Sequence, residues 1–221
     1  MVKAFRLEST KEEILAKIEK VRDKGGGMLK KRPEEKLAYL RLILFPSVFI
    51  EYQYLKKKGF MGPKVQHRSS TVLMSYPNYT EKYGTWFPEL AKDVKENNLA
   101  DINEGYYFPM EGEVEAPRDR CAEVMAAGQL EFAKSGQLFG ETLKPDQLKK
   151  AMNLDTEPTE IQDLSNISVV NMPYWIAKLE TPNTTRYLVY DRMGEEDKFL
   201  SSQMNTNSRF VINLEERVQE I

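Results

Sequence analysis

The 221-residue chain contains a single cysteine and a single histidine, Cys121 and His67. One cysteine excludes a disulfide within the chain and every zinc site built from several cysteines. One histidine excludes sites with two histidine ligands, such as H-E-x-x-H and the facial triad of non-haem iron. The sequence therefore predicts no cofactor, and it leaves open only a Mg²⁺ or Ca²⁺ site made of carboxylates.

The sequence also lacks a long apolar run, and we expect no secretory leader. Its longest uncharged apolar stretch, residues 42–50, is much shorter than the roughly 20 residues of a membrane-spanning helix. Residues 1–15 are rich in charge and have no apolar core of the kind found in signal peptides. Because the hydrophobic fraction is 41% and the net charge only −2, the chain has the composition of a folded protein. We expect an intracellular, soluble protein.

Common catalytic motifs are missing as well. Gly25, Gly26 and Gly27 follow a predicted helix and do not have the spacing of a P-loop. No G-x-G-x-x-G or G-x-S-x-G sequence occurs in the chain. Cys121 lies on the apolar stripe of a predicted helix, where a cysteine acts as a small hydrophobic residue. The sequence therefore predicts no catalytic residue.

His67 could act as the general base for a serine nucleophile. Ser69 and Ser70 follow it closely, but residues so near in sequence rarely acquire the geometry of a nucleophile and its base. A second interpretation is that His67 contacts an anion together with Lys64 and Arg68. The favoured interpretation is an ordinary loop histidine.

Hydrophobic periodicity predicts an α+β fold, with a helical N-terminal two thirds packed against a small antiparallel sheet from the C-terminal third. Thr10 or Ser9 caps a first helix, whose apolar stripe includes Ile14 and Ile18. Residues 37–55 are apolar nearly all round, which predicts a central helix with a kink at Pro46. Further helices are predicted over residues 88–97, 117–134, 145–152 and 214–221.

Strands are predicted mainly in the last third, where β-branched and aromatic residues form short runs. A boundary is predicted near Pro158, between a mainly helical region of residues 1–158 and a β-rich region of residues 159–221. One continuous domain is the alternative. The strands are predicted over residues 2–7, 71–76, 167–170, 174–179, 186–190 and 209–212, with a hairpin connection at residues 181–184.

The net charge is close to zero, but positive and negative residues are concentrated in different parts of the sequence. Residues 28–68 contain ten Lys and Arg residues against three acids, whereas residues 101–163 contain fourteen acids against six bases. The basic segment could bind nucleic acid, the two segments could face each other within or between molecules, or both could be solvated faces. The candidate anion or nucleic-acid contacts are Lys30, Lys31, Arg32, Lys56, Lys57, Lys58, Lys64, His67 and Arg68.

Carboxylates and aromatic residues form the remaining clusters. The carboxylates Glu111, Glu113, Glu115, Asp191, Glu195, Glu196 and Asp197 could form a divalent-cation site or an acid pair only if they converge. Aromatic residues in irregular segments either cap a core or form a contact surface. The candidate interaction surface is Tyr76, Tyr79, Tyr83, Trp86, Tyr106, Tyr107 and Phe108.

These observations favour a non-enzymatic interaction protein, a subunit or accessory factor of a larger assembly, with a protein partner or a second copy of the chain. The alternatives are an enzyme based on carboxylates and tyrosines, and a weak, non-specific nucleic-acid binder that uses residues 30–68. Nucleic-acid binding is disfavoured because the acidic segment would repel the same polyanion.

Overall fold

A computed structural model describes residues 2–26, 33–59, 62–74, 85–138, 141–152 and 154–221. Short 3₁₀ turns lie at Pro88–Leu90 and Pro158–Glu160. The helices are α1 (Lys11–Val21), α2 (Ala91–Lys95), α3 (Arg118–Ser135), α4 (Pro145–Ala151), α5 (Lys198–Thr206) and α6 (Ser208–Arg217). The strands are β1 (Val2–Phe5), β2 (Lys36–Lys57), β3 (Lys64–Met74), β4 (Thr85–Phe87), β5 (Leu99–Ile102), β6 (Tyr106–Tyr107), β7 (Gln137–Leu138), β8 (Glu141–Thr142), β9 (Ile161–Glu180), β10 (Thr185–Tyr190) and β11 (Gln219–Glu220).

The fold is mixed α/β, and the prediction of a helical N-terminal two thirds is wrong. Strands make up about 39% of the described residues and helices about 33%. Nine of the described strands form one mixed sheet in the order β11-β6-β2-β9-β1-β5, with β10 beside β9, β3 beside β2 and β4 beside β3. The long strand β2 belongs to the first third of the chain, and two of the helices, α5 and α6, belong to the last third.

The segment predicted as a central helix is strand β2. Its side chains are buried without a break from Ile43 to Ile50, on both faces of the strand. A strand covered on both faces has a continuous apolar sequence instead of an alternating one, and such a run resembles a buried helix. Pro46 lies between the residues of β2 that pair with β6 and those that pair with β3, so neither ladder needs its missing N–H.

The chain forms two compact units, each assembled from separate segments. The first contains Met1–Phe45, Leu99–Phe108 and Met172–Ile221, and the second contains Pro46–Asn98 and Pro109–Asn171. The predicted boundary near Pro158 stays a prediction.

In the first unit, α1 packs on one face of the sheet as its amphipathic sequence predicts. Thr10 and Glu13 form a reciprocal capping box at its N-terminus. Ile14 and Ile18 are fully buried against apolar residues of β9 and β10. The predicted hairpin is also present, because β9 and β10 are antiparallel and Thr181 N–H donates to Thr184 C=O at 2.8 Å.

Helix α5 covers the edge of β10 in the same unit. Asn205 accepts from the Tyr187 N–H and donates to the Tyr187 C=O, both at 2.8 Å. The Ser201 hydroxyl accepts from the Val189 N–H at 2.9 Å. The strand predicted over residues 209–212 is wrong: these residues belong to α6, whose N-terminus is capped by Asn207.

The second unit packs α3 against one face of the β2–β3 hairpin. Val48, Ile50, Tyr52 and Tyr54 of β2 share a core with the small residues of the helix. The helix was predicted at this position, with Cys121 on its apolar side, and Val124 lies on its opposite side, where it is 63% exposed. The buried residues of α3 are Cys121, Ala122, Ala126, Leu130 and Ala133.

Candidate functional site

The exposed end of the β2–β3 hairpin carries all the described residues of the candidate anion or nucleic-acid contacts. In the antiparallel register, Lys56 lies opposite Val65 and Lys57 lies opposite Lys64. Because successive side chains of a strand point to opposite faces, Lys56 and Lys57 present positive charge on both faces of the hairpin. We call the exposed residues here the ribbon end: Lys56, Lys57, Lys58, Lys64, Val65, Gln66, His67 and Arg68.

Only one cation of the ribbon end has an acidic partner in the described part of the chain. Lys64 forms an ion pair with Glu160 at 3.1 Å. No described carboxylate lies within ion-pair distance of Lys56, Lys57, Lys58 or Arg68. Since Lys57 and Lys64 lie directly opposite each other, their like charges also repel. The ribbon end is therefore a concentration of largely uncompensated positive charge.

His67 is part of this surface but is not paired with a nucleophile. Its ring stacks on Tyr54, with 5.5 Å between ring centroids and 22° between planes. The Ser69 hydroxyl donates instead to the Asp155 carboxylate. No hydrogen bond joins His67 to Ser69 or Ser70 among the described contacts. The candidate cations Lys30, Lys31 and Arg32 lie outside the described residues.

The candidate aromatic surface is divided between several environments. Trp86 is fully buried in the core of the second unit, and Phe108 is buried in the first unit beside Phe45. Tyr106 and Tyr107 are half-buried on β6. The other candidates, Tyr76, Tyr79 and Tyr83, lie outside the described residues.

The two carboxylate clusters contribute to local structure. Glu113 forms an ion pair with Arg118 at 2.9 Å and accepts from the Met110 N–H at 2.7 Å. Asp191 accepts two backbone N–H groups in the turn after β10, and Asp197 caps α5. Within the described ranges, no group of three or more His, Cys, Asp or Glu side chains could hold a metal ion.

A polar cluster that the sequence analysis did not select lies on the sheet of the first unit. One oxygen of Glu215, Oε1, accepts from the Tyr39 hydroxyl at 3.2 Å and from the Tyr187 hydroxyl at 3.3 Å. Lys178 Nζ is 3.5 Å from the same oxygen. These residues come from β2, β9, β10 and α6, so their sequence spacing has no recognisable pattern. The β9–β10 register places Tyr187 opposite Lys178, and hydrogen bonds to Glu215 join Tyr39 and Tyr187.

The protonation of this cluster favours hydrogen-bond donation. Burial raises the pKa of the Tyr39 hydroxyl well above its ordinary value, and the Glu215 carboxylate raises it further. Burial likewise raises the pKa of Tyr187. The hydrogen bond to Glu180 raises the pKa of Lys178. Both hydroxyls therefore stay protonated near neutral pH, as donors to Glu215 and not as bases or nucleophiles.

Comparisons with known proteins leave the function to be argued from these sites. No family model, no curated protein and no solved structure matches the chain. Among the helices of the described residues, none has both the length and the apolar character that crossing a membrane requires.

Proposed function

We propose that the chain is a non-enzymatic interaction protein, a subunit or accessory factor of a larger assembly, and that the ribbon end is its contact surface for an acidic protein partner. The observation that carries this proposal is the set of exposed cations, Lys56, Lys57, Lys58 and Arg68, without a described acidic partner. Clustered charge of one sign attracts a surface of opposite sign and raises the rate of encounter with it.

The Lys64–Glu160 ion pair supports an acidic protein surface as the partner. Lys64 belongs to the basic segment, residues 28–68, and Glu160 belongs to the acidic segment, residues 101–163. This pair joins the two segments within one molecule and leaves most of the ribbon end uncompensated. An acidic patch of another protein, or of a second copy of the chain, would extend the same type of contact.

A duplex nucleic acid is the second candidate partner. Its specific support is that cations lie on both faces of a two-stranded ribbon, because a ribbon of this width fits the major groove between two phosphate backbones. Against it, the net charge of the chain is −2, whereas nucleic-acid-binding domains usually carry a net positive charge. The charge balance therefore favours the protein partner.

The test is a binding titration of the full chain against three probes at about 50 mM salt, where contacts between charged groups are strongly favoured. The probes are poly-L-glutamate, a duplex oligonucleotide and a single-stranded oligonucleotide. We expect poly-L-glutamate to bind, and we expect the binding to weaken steeply with added salt. The variant K56E/K57E/K58E should lose this binding.

A matched variant controls for net charge. K11E/K20E/K198E changes three exposed lysines of the first unit and alters the total charge equally. It should retain wild-type binding. If both triple variants bind poly-L-glutamate as the wild type does, the ribbon end is not the contact surface. Binding of the duplex in preference to poly-L-glutamate would replace the protein partner with nucleic acid.

A further inference from the structure

Arg41 is held between two tyrosine rings in the first unit. Its guanidinium carbon lies 4.3 Å from the ring centroid of Tyr39 and 4.9 Å from that of Tyr106. Within the described chain, its guanidinium forms no ion pair and no hydrogen bond. A guanidinium stacked on rings keeps its planar fork of N–H donors free for a ligand.

Arg217 lies over a single ring, that of Phe108, which is two residues beyond Tyr106 in the chain. Its guanidinium carbon lies 4.9 Å from the ring centroid of Phe108, and it too forms no ion pair with a described carboxylate. Residues i and i+2 of an extended segment are about 7 Å apart on the same face. Tyr106 and Phe108 therefore carry two arginines along one side of the segment.

Both arginines lie on rings that the fold itself holds in place. The hydroxyl of Tyr39 is held by Glu215 at 3.2 Å, which fixes the ring under Arg41. Glu215 and Arg217 are on the last turn of α6, so the contacts of Glu215 also position Arg217. Lys178 lies 3.5 Å from Glu215 and compensates its charge. Because the side chains are already fixed, a ligand would meet little cost of ordering them.

We propose that Arg41 and Arg217 form a binding site for an oxyanion, a carboxylate or phosphate group carried by a small ligand. The bidentate geometry of a guanidinium matches both groups, and the half-buried positions of both arginines leave them reachable. The exposed carboxylate of Glu220 lies opposite Tyr106 in the β11–β6 register, and its negative charge would repel an anion bound there. This site is separate from the ribbon end and does not depend on the function proposed for it.

Calorimetric titration of the full chain with inorganic phosphate and with citrate, at constant ionic strength, tests the proposal. We expect saturable binding of at least one probe. The variant R41Q/R217Q should weaken that binding about tenfold or more, because it removes charge-assisted hydrogen bonds. Glu220→Gln should strengthen it, because a nearby negative charge that repels the anion is lost. The matched variant R6Q/R209Q removes two exposed arginines of the same unit and should bind as the wild type does.

The outcomes separate the two ligand classes and can overturn the site. Binding of phosphate alone identifies a phosphorylated ligand, and binding of citrate alone identifies a carboxylate ligand. If R41Q/R217Q does not fold, R41K/R217K retains both charges and loses the planar forks, so weaker binding by that variant supports the proposal. Absence of saturable binding of both probes, or equal affinity in the wild type and the folded arginine variant, overturns it.

Discussion

Arg186 forms a bidentate ion pair with the buried carboxylate of Glu35 in the first unit. Arg186 Nε and Nη2 donate to the two carboxylate oxygens of Glu35 at 2.6 and 2.8 Å. Only 9% of Glu35 is exposed, so the carboxylate depends on these bonds. They lower the pKa of Glu35 below its ordinary value of 4.5. The pair therefore links stability to pH.

The sign of this linkage gives the first prediction. A lowered folded-state pKa means that the pair stabilises the fold fully above pH 4.5 and loses that stabilisation as the pH falls through the folded-state pKa. Glu35→Gln should lower the free energy of unfolding by about 1–2 kcal/mol near pH 7, a modest loss because Arg186 is partly exposed. Urea denaturation should show this difference shrinking as the pH falls below 4.5.

Glu34→Gln is the matched control, because the Glu34 side chain is 56% exposed in its ion pair with Arg22. Its effect should be small at every pH. A Glu35→Gln deficit that is the same at pH 7 and pH 3 would show that the pair does not carry this linkage.

Val48 gives a second prediction at this scale. It is fully buried in β2 and belongs to the core that β2 shares with α3. Val48→Asp places an unpaired charge in that core and should destabilise the protein by about 3–5 kcal/mol. A thermal melt measures the loss. Val124→Asp on the exposed side of α3 is the control and should leave the melting temperature nearly unchanged.

At the scale of elements, local signals predicted α1, α3 and the β9–β10 hairpin correctly and β2 incorrectly. The capping box of Thr10 and Glu13 is a local interaction, so sequence alone could identify the start of α1. For β2, the deciding interactions are not local. Its partner β3 follows in sequence, but β9 begins more than a hundred residues later. Periodicity does not distinguish a buried strand from a buried helix.

The next prediction concerns α5, which covers the edge of β10. Asn205→Ala removes the side chain that bonds the backbone N–H and C=O of Tyr187. The loss should destabilise the protein by about 1–3 kcal/mol, because buried backbone groups are left unpaired. An uncovered strand edge also favours association of copies. Denaturation and light scattering measure the two effects.

Ser202→Ala changes an exposed residue of the same helix and controls for helix content. It should behave as the wild type does. Equal stability of the wild type and Asn205→Ala would show that α5 does not protect this edge.

At the scale of the whole molecule, the distribution of charge matters more than its sum. The net charge of −2 results from a basic segment and an acidic segment that are far from neutral. The ribbon end belongs to the basic segment, and most of its cations lack described acidic partners. If the acidic partner is a second copy, the chain should self-associate.

Light scattering across a range of salt concentrations tests this self-association. Association through opposite charges should weaken between about 0.1 M and 1 M salt, because the Debye length falls from about 10 Å to about 3 Å. K56E/K57E/K58E should be monomeric throughout, whereas K11E/K20E/K198E should associate as the wild type does. A wild type that is monomeric at every salt concentration would exclude the second copy and leave an unlike acidic partner.

The candidate sites were only partly predictable. Lys56, Lys57 and Lys58 are adjacent, so a sequence count reveals their charge, whereas their placement on both faces of a ribbon follows from strand pairing. Arg41, Tyr106 and Arg217 come from three distant parts of the chain, and no spacing rule links them. Aromatic enrichment at residues 106–108 was the one signal in that region, and the contribution of the arginines required the fold.

The sequence by itself determined the features that depend on composition and near neighbours. A single cysteine and a single histidine limit the possible metal chemistry, and a capping box and an apolar stripe mark α1, because these constraints act within a few residues. Tertiary structure decided that residues 36–57 form a strand and not a helix. It also brought together Tyr39, Lys178, Tyr187 and Glu215. The physical reason is that a strand gains its hydrogen bonds from other strands, so its partners and register, not its own periodicity, determine which side chains meet.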